Sequence, residues 1–156
     1  MLSSEALAQI DRERAKYPPE QAQSAVMAAL RIAQEEKGWL STETMDYVAE
    51  LLGMQPIQVY EVATFYHYYQ LKPVGRHRLE VCGSISCWLC GSDKILDYLR
   101  QKLGVEVGET TPDGRFTLRE VECLGACVGA PMMQVGNTYY ENLTPERIDE
   151  ILDALK

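Results

Sequence analysis

The spacing of apolar residues along this chain changes period near residue 72. Upstream the period is helical. A first segment, from about Ser4 to Lys16, predicts a helix that Pro18-Pro19 breaks. From Glu20 to about Glu36, Val26, Leu30 and Ala33 fall at i, i+4 and i+7, and Gly38 stops the run, so a second amphipathic helix is expected. Ser41 is placed to cap a third, whose buried stripe is Met45, Val48, Ala49 and Leu52 and whose end is Gly53. Pro56 suits the first turn of a fourth, running through Val59 and Val62. Residues 1–72 should therefore form a helical bundle.

After the punctuation Lys72-Pro73-Val74-Gly75 the pattern becomes mixed. Leu79 and Val81 alternate with Arg78 and Glu80, the mark of a strand that delivers Cys82 at its end. Ile95, Leu96, Leu99 and Leu103 give a helical stripe that Gly104 stops. The Thr111-Pro112-Asp113-Gly114 turn leads into a strand with Phe116 and Leu118, expected to end at Cys123. Met132 to Val135, Gly136-Asn137 and Thr138 to Tyr140 read as a hairpin, and Thr144-Pro145-Glu146 opens a last helix with Ile148, Ile151, Leu152 and Leu155 inward. The order β-α-β-β-β-α over residues 73–156 is that of a thioredoxin-like sheet. The whole chain is expected to be α+β, with two domains.

Composition bounds the function. A 156-residue chain with 46% hydrophobic residues can build a core without disulfides. Its start carries acids and bases in place of an apolar signal region, and no run approaches the roughly 18 apolar residues of a membrane span. A cytoplasmic protein without direct membrane insertion is expected. A net charge of -8 argues against nucleic acid and anionic lipid as partners.

The chemistry lies in the cysteines. Four of the five form two tight pairs, Cys82-x4-Cys87 and Cys123-x3-Cys127, with 35 residues between them. Paired thiols in a reducing compartment point to metal ligation or redox chemistry. Four thiolates close two sulfide-bridged iron sites or one zinc site. Gly83, Gly125 and Gly129 are expected to turn the backbone tightly and to free N–H groups for anionic sulfur.

Rival readings remain open at this point. Cys87-Trp88-Leu89-Cys90 is a C-x2-C expected to open a helix, where a dithiol oxidoreductase carries its reactive pair, but that reading strands Cys82, Cys123 and Cys127. The cluster reading strands only Cys90, which is expected to be a partly buried small hydrophobe close enough to Cys87 for ligand exchange to be conceivable. Ala49-x3-Gly53-x5-Val59 has helix-turn-helix spacing, yet residues 41–70 hold four acids and no Lys or Arg to meet phosphate. His67 lies in the aromatic run Phe65 to Tyr69, expected to pack the helices on the sheet or on a partner, and His77 begins a strand; neither stands beside a cysteine pair. Pro131 stands where thioredoxin-like folds often carry a cis-proline, although a proline at a strand start also has an ordinary explanation. No glycine-rich dinucleotide loop or P-loop occurs, so any nucleotide would need another chain to bind it.

Four segments, GMQPIQVYEVATFYHYY, VCGSISC, TPDGRFTLREVECLGACVGAP and NLTPERIDEIL, make the chain resemble the thioredoxin-like [2Fe-2S] subunit, or 24 kDa subunit, of NADH:quinone oxidoreductase, respiratory complex I. The resemblance covers nearly the whole length. It implies a helical bundle over 1–72 and a thioredoxin-like [2Fe-2S] ferredoxin domain over 73–156, with Cys82, Cys87, Cys123 and Cys127 holding one cluster. It further implies single-electron exchange with FMN on a partner flavoprotein that binds NADH, and a neighbouring iron–sulfur subunit. The place implied is the peripheral arm of a complex on the cytoplasmic face of the inner membrane. Related subunits occur in NAD-linked hydrogenases and formate dehydrogenases.

Overall fold

Helices fill the first half of the chain and a four-stranded sheet organises the second. The structure, a computed structural model, describes residues 1–155. It divides into two compact units, Met1–Pro73 and Val74–Lys156, each with its own core.

In the first unit, α1 (Ser4–Arg14) is capped by the Ser3 hydroxyl, which accepts from the Ala6 N–H at 3.2 Å. The segment read as one helix from Glu20 is two pieces: a 3₁₀ stretch, Pro19–Ala25, then α2 (Val26–Lys37). Gln21, at φ -115° and ψ 24°, leaves helical geometry after the double proline, so the regular α-helix starts only at Val26. Ser41 caps α3 (Thr42–Leu52), and Gly53 ends it at φ 64°, a left-handed turn that most side chains resist. Pro56 then opens α4 (Pro56–Phe65). Ala49 and Val59, the positions of helix-turn-helix spacing, are buried between the packed helices. The core holds Ile10, Leu30, Leu40, Val48, Val59 and Tyr69. Gln34 and Gln70 are buried too, each polar group satisfied: the Gln70 N–H donates to Gln34 Oε1 at 2.6 Å, and Gln34 Nε2 donates to the Tyr68 carbonyl at 3.0 Å.

In the second unit, β1 (His77–Cys82) is followed by the one-turn α5 (Ile85–Leu89) and by α6 (Ser92–Leu103), which return the chain to β2 (Phe116–Val121). This crossover lets β1 and β2 pair in parallel, with Leu79 opposite Leu118 and Cys82 opposite Val121. A short 3₁₀ turn (Cys127–Gly129) precedes the hairpin β3 (Met133–Val135) and β4 (Thr138–Tyr140), and β3 adds antiparallel to the other side of β1. The sheet order is β2-β1-β3-β4. The last helix, α7 (Pro145–Ala154), is capped by Thr144. Leu79, Val81, Leu99, Leu118, Met133 and Ile148 are the buried centre.

Leu118 has no exposed surface and sits in β2, the strand that leads to the second cysteine pair. Leu118→Ala should lower unfolding stability by about 2–5 kcal/mol, a lost transfer term plus a cavity. Urea titration checks it: the midpoint falls with the slope unchanged, and a loss below about 1 kcal/mol would mean that the site collapses around the gap.

Candidate metal centre

Parallel pairing places the ends of β1 and β2 side by side, and the cysteine loops leave from these ends. Cys82 is the last residue of β1, and Cys87 lies in the middle of α5. Both are buried, and with Met132 they form a small separate core against which Leu124, Ala126 and Ala130 pack. The strand expected to reach Cys123 stops at Val121, because the chain leaves the ladder where Gly83 donates its N–H to the Val121 carbonyl at 2.9 Å. Cys123 therefore sits on the loop, and Cys127 begins the 3₁₀ turn; both are exposed. Of the three loop glycines, only Gly125 has the left-handed backbone expected for a tight turn, at φ 82°.

Burial alone would raise the Cys82 thiol, but the backbone N–H groups of Leu124 and Ser84 and the Cys87 thiol more than offset it, and its pKa lies below the ordinary value. Cys87 is pushed up to about 11 by burial, by its hydrogen bond to Cys82 and by the negative charge there; the Met132 N–H works against this rise and Cys127 adds to it. The two thiols titrate as a coupled pair, with Cys82 shifted down and Cys87 up. Cys127 is near enough for its charge to be felt at Cys87.

Backbone donors aimed at sulfur suit a thiolate-held metal group, since hydrogen bonds to the sulfurs stabilise their charge. Two short-spaced thiol pairs, one of them met by backbone donors, fit a [2Fe-2S] cluster, each iron of which takes a pair of thiolates.

The dithiol alternative loses its physical basis. Cys90 closes α5 and does not open a helix, and α6 starts only at Ser92, after Gly91. A thiol raised as Cys87 is makes a poor nucleophile. Cys90 itself is exposed, contrary to the expectation of partial burial, because the end of a one-turn helix leaves it outside the Cys82–Cys87–Met132 core. His67 is exposed; His77 starts β1 with its ring centroid 5.7 Å from that of Phe116, and burial, with Arg76 and Arg115, lowers its pKa. Neither joins the cysteines. The Ala130–Pro131 peptide is cis. Met132, one residue on, escaped the sequence reading: it offers the cysteines an apolar side chain and an N–H, and no periodicity marks either role.

A mixed sheet with two thiol pairs on the loops at one end of its parallel strands defines a class, and the chain belongs to the thioredoxin-like [2Fe-2S] ferredoxin family, which it matches over residues 10–156. Among its relatives are subunits of NADH-quinone oxidoreductase. It is 48% identical over 142 residues to the one from Rickettsia bellii, covering 90% of this chain and 85% of the relative. To one from Rhizobium meliloti it is 47% identical over 148 residues, 95% of this chain and 87% of that one. NADH-quinone oxidoreductase subunit 2 of Thermus thermophilus is 45% identical over 143 residues, with 91% and 79% covered. Among solved structures, an NAD+-reducing [NiFe]-hydrogenase in the air-oxidized state matches with a TM-score of 0.71 at 19% identity, over 81% of this chain and only 22% of that one, a likeness of fold.

Proposed function

We infer that this chain is the electron-transfer subunit of an NADH:quinone oxidoreductase, complex I. It holds one [2Fe-2S] cluster through Cys82, Cys87, Cys123 and Cys127 and exchanges single electrons with FMN on a partner subunit that binds NADH. What carries the reading is the buried Cys82–Cys87 pair, which draws N–H donors from Ser84, Leu124 and Met132, with Cys127 within electrostatic reach. The quinone reductase is favoured as parent over a hydrogenase because the relatives at 45–48% identity are quinone reductase subunits, while the hydrogenase likeness rests on fold.

When bound, the cluster supplies one-electron acceptance and release. The chain's own residues do the rest. Buried Cys82 and Cys87, sealed by Met132, keep water from one thiol pair, and the three N–H groups hold thiolate charge there. Cys123 and Cys127 lie at the surface, where a donor or acceptor can approach. Residues 73–156, which carry all four cysteines, are thus the electron-carrying domain, and residues 1–72 form the helical bundle. Among the described residues no helix is long and apolar enough to cross a membrane. The relatives' place as subunits of NADH-quinone oxidoreductase supports attachment through partners, the flavoprotein and a neighbouring iron–sulfur subunit, at the cytoplasmic face of the inner membrane.

Metal analysis tests the reading. Anaerobically purified protein should contain about two irons and two acid-labile sulfides per chain, and a rhombic EPR signal should appear only on strong reduction. Colourless protein with about one zinc per chain would overturn it.

A further inference from the structure

Two glycines of the cysteine loops make room for carboxylates. A Cβ built on Gly83 would lie 2.3 Å from Oε1 of Glu120 and 2.9 Å from its Cγ; one built on Gly129 would lie 2.6 Å from both Cβ and Cδ of Glu141. Neither glycine has a positive φ, so neither is required by its backbone turn. What each supplies is a bare Cα against which a glutamate side chain lies. Gly83 directly follows Cys82, and Gly129 ends the 3₁₀ turn that Cys127 begins. The Glu141 side is further tied by the Asn142 N–H, which donates to the Gly129 carbonyl at 2.7 Å. One acid thus lies along the loop of each cysteine pair.

Arg119 precedes Glu120 in β2, where successive side chains point to opposite faces of the sheet, and residues 79–93 and 120–146 contain no Lys, Arg or His. Among the described residues neither carboxylate forms a salt bridge, whereas Glu80 pairs with Arg78 and Glu106 with Arg100. The backbone donors from Ser84, Leu124 and Met132 favour added negative charge at the sulfurs, and two unpaired anions beside the same loops oppose it.

The geometry points to Glu120 and Glu141 as potential-setting residues: their charges, admitted by Gly83 and Gly129, hold the reduction potential of the bound cluster low. This rests on the cluster reading above. One electron, supplied by dithionite in the test, takes a four-thiolate [2Fe-2S] cluster from net charge -2 to -3, and a fixed anion at short range makes that step less favourable. Both glutamates are exposed, so the effect of each is partly screened.

The full chain with its cluster is the material for the test. Iron and sulfide are assayed first; native protein without them overturns the cluster reading itself. Dithionite titration followed by EPR then gives midpoints. Glu120→Gln and Glu141→Gln keep shape and remove charge, and each should raise the ratio of reduced to oxidised cluster at fixed potential roughly threefold, about 28 mV at 59 mV per tenfold. The double variant should multiply the two effects. Glu120→Asp and Glu141→Asp should stay near the native midpoint. Gly83→Ala, which must push the Glu120 carboxylate away, should move the midpoint the same way as Glu120→Gln, and combining the two should add nothing more. Gln variants with full iron content and native midpoints would overturn the proposal. So would Gln variants that fail to hold iron, because the side chains would then be structural.

Discussion

Serine at Cys82, Cys87, Cys123 or Cys127 should abolish or strongly perturb the visible and EPR signature of the protein, while serine at Cys90 should leave it nearly intact. A weakly acidic alcohol is a worse iron ligand than a thiolate. At Cys82 and Cys87 the loss should be the deeper of the two, because these sulfurs are buried with Met132 and share N–H donors that a hydroxyl cannot use in the same way. Cys90 is exposed and lies outside that core, so its hydroxyl replacement disturbs neither packing nor ligation. Iron content, absorbance and EPR on the five single variants decide the matter. Bleaching by Cys90→Ser together with a native spectrum in Cys82→Ser would show that the ligand set has been misassigned.

Periodicity served well wherever one face of an element is buried and the other is wet. Leu79 and Val81 alternate into the core of β1, and Ile95 and Leu99 mark the inner side of α6, so both elements lie near their expected positions. Where structure depends on approach between distant segments, the sequence is silent. The stretch from Pro19 to Ala25 has helical spacing but winds as 3₁₀, since a stripe of buried residues does not distinguish the two windings. The end of β2 at Val121 is set by where the ladder to β1 runs out, which depends on the partner strand as much as on β2.

The same distinction runs through the cysteine site. Two close-spaced pairs of thiols are visible in one dimension, because short loops force short spacings. The N–H donors are not, since any residue but proline carries one and only the folded loop aims it. Gly83 and Gly129 stood out for the wrong reason. A glycine in sequence suggests a turn, yet these two mark a close approach by Glu120 and Glu141 from other segments. That the C-x2-C of Cys87 and Cys90 ends a one-turn helix follows from Gly91, which takes a left-handed φ of 89° before α6 begins.

NADH should reduce the cluster when an FMN-containing partner is present and should leave it oxidised when the chain is alone. On the function proposed above, hydride chemistry takes place on the partner flavin and reaches the cluster as single electrons. Its surface is that of one piece of a larger assembly. On the cysteine loops Ile85, Trp88 and Leu89 of α5 are exposed, and Val128, between Cys127 and Gly129, is fully so; in the helical unit Phe65 is 75% exposed and Tyr66 and Tyr68 lie open beside it. Apolar and aromatic side chains left in water at this density are characteristic of buried interface centres. The chain should co-purify with the flavoprotein from native extract, and Val128→Glu combined with Trp88→Glu should break that association while the absorbance of the cluster survives, since neither side chain is a ligand. An NADH titration monitored by EPR, with and without the partner, gives the answer. Rapid reduction of the flavin-free chain, or its steady recovery as a monomer, would instead make it an independent ferredoxin.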